Sequence, residues 1–296
     1  TYYAKLSKIL NNLISNEIIL ENNIRITFTF PSLYQLKNCK NIEYNKKTSI
    51  IDKIVDKIFI INLKSRKDRF NDMIYELHKN NIYNIEIFNA MCPKKNDFYN
   101  DDNIFKDYNN KSYNLVGYDW KKTANIKTLQ GIVGCKASHI EIIKLAKERG
   151  YKSILILEDD IEFIQNWEKY IENTIDTEYD MLYLTCNHNN GYEEINNYLA
   201  KPHYGLQTCG YIIKETLYDY VIETALESGM VIDIYYCEYI QKNPFYKTYC
   251  LMPNIINQKQ GFSSIENRIV NYSEIIDDKT FNKADVIDFP NENTDI

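Results

Sequence analysis

Ile154, Leu155, Ile156 and Leu157 run without a polar interruption into Glu158, Asp159 and Asp160. An apolar run with no alternation demands burial on both faces, as in the interior of a parallel sheet. In open α/β sheets ligands gather beyond the carboxyl ends of the strands, so these carboxylates are expected to project into a cleft. Strand alternation would put Glu158 and Asp160 on one side and Asp159 on the other. Carboxylates that close repel unless positive charge lies between them. A hard divalent cation, Mn²⁺ or Mg²⁺, sharing oxygen ligands with the phosphates of a substrate, is the usual answer. The competing reading is an acidic turn that caps a helix over residues 166–176, and the buried strand in front of it favours the cleft.

Composition narrows the class. The 296 residues, 44% hydrophobic, suffice for one large α/β domain or two small ones. A net charge of −6 and the lack of a basic block argue against nucleic acid as a partner. Cys39, Cys92, Cys135, Cys186, Cys209, Cys237 and Cys250 are scattered and lack C-x-x-C spacing. They read as buried thiols of the cytoplasm or another reducing compartment rather than a disulfide frame or zinc site. The four histidines form no cluster in the sequence either. No run reaches the length of a membrane span, which leaves a peripheral membrane association open. The first residues show no signal-peptide pattern, and the absent initiator Met leaves room for an upstream domain or anchor.

Taken in order, residues 1–50 read as an N-terminal extension or the end of a preceding domain. A helix is expected over 6–20 and a strand over 24–30. The α/β signal starts with a strand over 57–63 and a basic turn bearing Arg66 and Arg69. A helix follows over 67–79, with Phe70, Met73, Ile74 and Leu77 on its buried face. Strand, basic turn and helix start make a phosphate-receiving arrangement, although two solvated arginines would look the same. A strand over 85–89 completes the βαβ unit, and a long polar loop is expected over 93–127. Gly131 and Gly134 lead into a helix that ends at Gly150, with Ser138 and His139 near its front. Further strands are expected at 181–184, 207–213 and 246–251, and helices at 167–175 and 215–227. Strands alternating with helices give an α/β fold with a mostly parallel sheet. A polar loop over 253–264 returns towards the site, and 276–296 is an acidic tail.

Together these residues resemble glycosyltransferase family 25, which includes lipopolysaccharide and lipooligosaccharide galactosyltransferases and enzymes that galactosylate hydroxylysine in collagen. The matching pieces are Ile61, Asn62 and Leu63 with Arg66 and Arg69; Gly131, Gly134 and Cys135 with Ser138 and His139; and Ile156 through Asp160. Val231, Ile232 and Asp233, and Gln258 with Ser263, Ser264 and Ile265, match more loosely. The chain departs from the pattern at Ile132, where the family usually carries Glu.

The resemblance implies a GT-A, Rossmann-like domain over 51–275. It also implies a nucleotide sugar donor, UDP-galactose or UDP-glucose, and inversion at the anomeric carbon. The acceptor is expected to be a glycan or a hydroxylated protein, which places the chain in glycan biosynthesis or protein glycosylation. Glu158 and Asp160 are expected to hold the cation and Asp159 to face the ribose or sugar, with the two Asp roles exchangeable. Asn62, Arg66, Arg69, Ser138, His139, Gln258 and Ser263 are expected around the donor. Asp233 is the candidate base for the acceptor hydroxyl, unless it caps a helix instead. Two other readings compete: a metal-dependent phosphatase, which would draw on Asp180 and Asp233 as further carboxylates, and a catalytically silent glycosyltransferase fold used for binding or assembly.

Overall fold

The computed structural model describes residues 18–20, 24–26, 48–91, 104–106, 112–114, 126–263 and 268–270. The chain divides into two compact units, Thr1–Lys46 and Lys47–Ile296. In the first, β1 (Ile18–Leu20) and β2 (Ile24–Ile26) form an antiparallel hairpin with Ile18 opposite Ile26. The stretch expected to close a helix is therefore a strand, and its pairing with β2 outweighs the helical spacing of its apolar residues. The remainder of the expected 6–20 helix and 24–30 strand lies outside the described residues, as does the tail at 276–296.

The second unit begins with α1 (Ile51–Ile54), β3 (Lys57–Asn62), α2 (Lys67–Lys79) and β4 (Ile85–Asn89). A small antiparallel pair, β5 (Ile104–Lys106) and β6 (Ser112–Asn114), falls where an unstructured loop is expected. Next come α3 (Ile126–Glu148), β7 (Ser153–Glu158), β8 (Ile161–Phe163), α4 (Glu168–Glu172) and β9 (Met181–Tyr183). The chain then passes through β10 (Asn187–His188), β11 (Tyr192–Asn196), β12 (Leu199–Pro202) and β13 (Gly205–Leu206), of which β11 and β12 join the far edge of the sheet, before it enters β14 (Gly210–Lys214). It ends with α5 (Glu215–Thr224), α6 (Ile232–Tyr235) running into a π-helical turn at Tyr236–Gln241, β15 (Thr248–Leu251), β16 (Ile256–Gln258), β17 (Gly261–Ser263) and β18 (Arg268–Val270).

The core is an 8-stranded sheet in the order β11-β12-β15-β9-β14-β7-β3-β4. β3 pairs in parallel with β4 and β7, and β15 in parallel with β9. β14 and β12 run against the rest. The sheet is thus largely parallel and mixed rather than pure. A parallel return to β14 would need a crossover across the sheet. The excursion between β9 and β14 instead adds β12 and β11 to the sheet beyond β15, and Leu184 N–H donates to the Gly210 carbonyl at 3.0 Å as β9 and β14 meet.

Period-two alternation divides the apolar run of β7 between two layers. Leu155 and Leu157 join Ile58, Ile60, Met73, Leu77 and Trp167 on the α2 face. Ile154 and Ile156 join Phe59, Ile140, Ile143 and Leu217 on the face covered by α3 and α5. All are buried, each worth about 1.5–3 kcal/mol for a fully buried large apolar side chain. α3 starts well before the expected boundary, so Gly131 and Gly134 lie inside it and Ser138 and His139 in its middle. Burial of one apolar side along its length offsets the roughly 1 kcal/mol cost of each helical glycine.

Polar groups fasten α2 to the turn after β8. Glu76, buried on α2, accepts the Phe163 N–H and the Asn80 side-chain amide, both at 3.0 Å. The Asn80 oxygen accepts the Trp167 indole N–H at 2.8 Å. Glu76→Ala leaves these buried donors unsatisfied and is expected to cost about 1–3 kcal/mol. Urea unfolding reads this as a lower midpoint at unchanged slope.

Candidate active site

β3 and β7 end side by side, with Ile61 opposite Glu158. Asn62 closes β3, Glu158 closes β7, and Asp159 and Asp160 turn the chain into β8. Asn62 Nδ2 donates to Asp159 Oδ2 at 2.6 Å and to the Arg66 carbonyl at 3.2 Å. Arg69, in the first turn of α2, holds Nη1 2.9 Å from Asp159 Oδ1 and 2.9 Å from Asp160 Oδ2. Gln258 reaches Asp160 from β16, its Nε2 3.3 Å from Oδ2. The Lys259 N–H donates to the Asp160 carbonyl at 2.7 Å. Gly261 lies beside the guanidinium, since a Cβ there would sit 3.6 Å from Arg69 Nη2.

The two-sided split expected of the carboxylates is not what forms. Alternation stops where β7 stops, so Asp159 and Asp160 both turn to Arg69 while Glu158 faces α3. There, Glu158 Oε1 lies 3.7 Å from His139 Nε2. Donor atoms of Cys135, His139 and Glu158 fall within 4.8 Å of one another. Cys135 and His139 are four residues apart on one helix, which puts them on the same face. Fully buried His139 shares its Nδ1 with the Tyr211 hydroxyl at 2.9 Å, and Tyr211 shares its own with Tyr236 at 2.9 Å. Among 26 tyrosines neither Tyr211 nor Tyr236 stands out in the sequence. The position of Tyr211 on β14, opposite Ile156 of β7, brings them in.

Burial, with Glu158 next in effect, pushes the Asp160 carboxyl up to about 7, against the pull of Arg69. Burial also raises Asp159, opposed by Arg69 and then Asn62. Asp233, in the first turn of α6, is raised by burial too, with Glu158 adding to the rise and His139 opposing it. The cap of α6 is Val231, not Asp233, whose carboxylate accepts the Ile234 N–H at 2.8 Å. Burial, then Glu158, drives the Cys135 thiol well above its usual value and keeps it protonated.

The remaining expected residues are less central. Ser138 is committed to the fold, donating to the Gly134 carbonyl at 2.6 Å and accepting the Met91 N–H at 2.8 Å. Arg66 is held by exposed Asp68, with Nη2 at 2.7 Å. Ser263 closes β17, two residues after Gly261. Asp180 sits at the opposite end of the sheet, accepting the Thr216 hydroxyl at 2.6 Å and the Lys247 N–H at 2.8 Å.

Residues 55–202 match the family model for glycosyltransferase family 25, described as LPS biosynthesis protein. Human procollagen galactosyltransferase 2 is 29% identical over 143 residues, 46% of this chain and 21% of that protein. The mouse protein of the same name is 31% identical over 117 residues, 38% of this chain and 17% of its own length. The chain thus spans about a fifth of the length of the curated relatives it matches. Among solved structures, a glycosyltransferase involved in the glycosylation of the major capsid of PBCV-1 aligns at TM-score 0.36 and 11% identity, covering 71% of this chain and 96% of its own. A197 from STIV aligns at TM-score 0.34 and 14% identity, covering 72% and 91%. At these scores neither structure adds to the assignment.

The Asp160 carboxyl has a stability signature. Raised from 3.8 to about 7, it lets the folded chain bind more protons than the unfolded chain across that window. Its contribution is therefore greatest below the unfolded value and falls as pH rises, by up to about 1.4 kcal/mol per pH unit. In chelator-treated protein, Asp160→Asn is expected to remove this decline from urea-derived stabilities between about pH 4 and about pH 7. Wild-type and variant curves of equal slope would show that Asp160 ionises normally.

Proposed function

This chain belongs to glycosyltransferase family 25, and from that premise we propose that it transfers a hexose from a UDP-sugar to a hydroxyl acceptor, with inversion at the anomeric carbon. Galactose is the first choice, in keeping with the printed names of the relatives, and glucose the second. The acceptor is a hydroxyl of a glycan or of a hydroxylated protein. The observation that carries the reading is the clamp of Asn62 and Arg69 on Asp159 and Asp160, at paired strand ends inside the matched region.

A site for a UDP-sugar must counter the charge that grows on the leaving diphosphate. Glu158 and Asp160 offer hard oxygen donors, and burial followed by the charge of nearby Glu158 raises Asp160 to about 7 despite Arg69. Those two residues would hold a divalent cation, Mn²⁺ before Mg²⁺, once Glu158 turns from His139 towards Asp160. When bound, the ion supplies Lewis-acid stabilisation of the leaving group. Arg69 fixes Asp159 towards the ribose or sugar, and Arg66, at the surface, turns from Asp68 to the diphosphate. Gln258 orients Asp160.

Inversion needs a base opposite the leaving group, and Asp233 takes that role. Its raised carboxyl is a stronger base than an exposed aspartate. A phosphatase would draw on carboxylates from other strand ends at the same edge, and Asp180 lies at the opposite one. Among the described residues no helix is long and apolar enough to cross a membrane. The free thiols of Cys135, Cys186, Cys209, Cys237 and Cys250 favour a reducing compartment, cytoplasmic or at a membrane periphery.

The test is a thermal-shift series with UDP-galactose, UDP-glucose and other nucleotide sugars, with and without Mn²⁺. A ligand specific to the folded state at a hundredfold excess over its Kd adds about 2.7 kcal/mol. A Mn²⁺-dependent shift with one UDP-sugar, lost in Asp160→Ala, is expected. A folded protein that answers none of them is instead a silent module of the same fold.

A further inference from the structure

No spacing in the sequence joins Cys186 and His188 to Cys250, 62 residues beyond the histidine. The fold does, correcting the expectation that cysteines and histidines form no metal-type grouping. Donor atoms of Cys186, His188 and Cys250 all lie within 4.8 Å of one another. We propose that these residues bind a zinc ion, at a site separate from the carboxylate cluster and independent of the glycosyl-transfer reading.

The geometry is close to what zinc requires. Zn–S and Zn–N bonds of about 2.3 and 2.0 Å in a tetrahedron set sulfur and nitrogen about 3.5 Å apart. Cys250 Sγ stands 3.6 Å from His188 Nε2. Each donor is carried on a fixed element, as a preorganised site needs. Cys250 is in β15, held between β12 and β9. His188 is in β10, opposite Gly205 of β13. The backbone of Cys186 is gripped on both sides by Asn254, whose oxygen accepts its N–H at 2.9 Å and whose amide donates to its carbonyl at 3.3 Å. His188 follows Cys186 by two residues, so the turn out of β9 delivers both side chains to the same place.

Charge selects the ion. Each thiol releases its proton to solvent on binding, and two thiolates with a neutral imidazole balance Zn²⁺ to zero. Both cysteines are buried, where a neutral complex avoids the cost of an unpaired charge. Cu⁺ with the same ligands would leave a net negative charge in the core. His188 Nδ1, buried, has no hydrogen-bond partner among the described residues, so the ring is not committed elsewhere. Half-buried His188 gives an ion its way in, and water can take the fourth position.

The full chain, purified reduced and without chelator, is assayed for metal by mass spectrometry and for alkylation of each cysteine. About one zinc per chain is expected, with Cys186 and Cys250 protected until a chelator is added. Co²⁺ in its place is expected to give a thiolate charge-transfer band that Cys186→Ser weakens and Asp160→Ala leaves intact. Three results would overturn the proposal: no zinc retained or taken up by folded protein, alkylation of both cysteines at the same rate with and without zinc, or a cobalt adduct lacking the thiolate band. The alkylation comparison uses wild-type protein, so it holds even where the variant fails to fold. UDP-sugar binding with no zinc, or zinc with no UDP-sugar binding, separates this proposal from the transferase reading.

Discussion

Arg69 places a single guanidinium nitrogen within 2.9 Å of two buried carboxylates. Without it, Asp159 and Asp160 would be left beside Glu158 with only the more distant Arg66 to offset their charge among the described residues, and like charges in a low-dielectric setting are driven to take up protons. The rest of the site follows from keeping that nitrogen in place. α2 must start immediately after β3, and β3 must lie beside β7. The two apolar layers around Ile58, Ile60, Leu155 and Leu157 hold that arrangement, since those strands have no polar face to offer to water.

Compensation by Arg69 is partial. Burial, with Glu158 behind it, outweighs Arg69 at Asp160 and raises that carboxyl to about 7. The far side of β7 adds a second polar chain, running from Glu158 past His139 to Tyr211 and Tyr236. Both tyrosine hydroxyls are driven upward by burial and remain neutral. These hydroxyls fix the His139 ring through its Nδ1, and its Nε2 faces Glu158 Oε1 at 3.7 Å.

Much of this was legible in the sequence, for reasons that can be stated. The uninterrupted run before Glu158 could only be an interior strand, and α2 falls on its expected span of 67–79 because its apolar positions repeat at helical spacing. Arg69, Asn62 and Gln258 were legible as participants, though not in their partnerships, which depend on where a turn points once strand alternation has ceased. α3 was read short because glycine signals helix ends, and the packing that overrides that preference is tertiary. The meetings of Cys186 with Cys250, and of His139 with Tyr211, are likewise products of strand order. Strand order is set by crossovers, and no local pattern encodes it.

The reversed strand β14 has a consequence for how such a chain can diverge. Because β14 neighbours β9 and runs against it, the excursion from Leu184 to Cys209 departs and returns at adjacent points, already joined by the Leu184 to Gly210 hydrogen bond. An excursion with its feet together can lengthen at only a logarithmic entropy cost. It leaves from the edge of the sheet that carries the carboxylates, while the strands that carry them stay as they are. The turns of this excursion can therefore grow without moving β3 or β7, whereas β11 and β12, which it lends to the far edge of the sheet, cannot be rewritten freely.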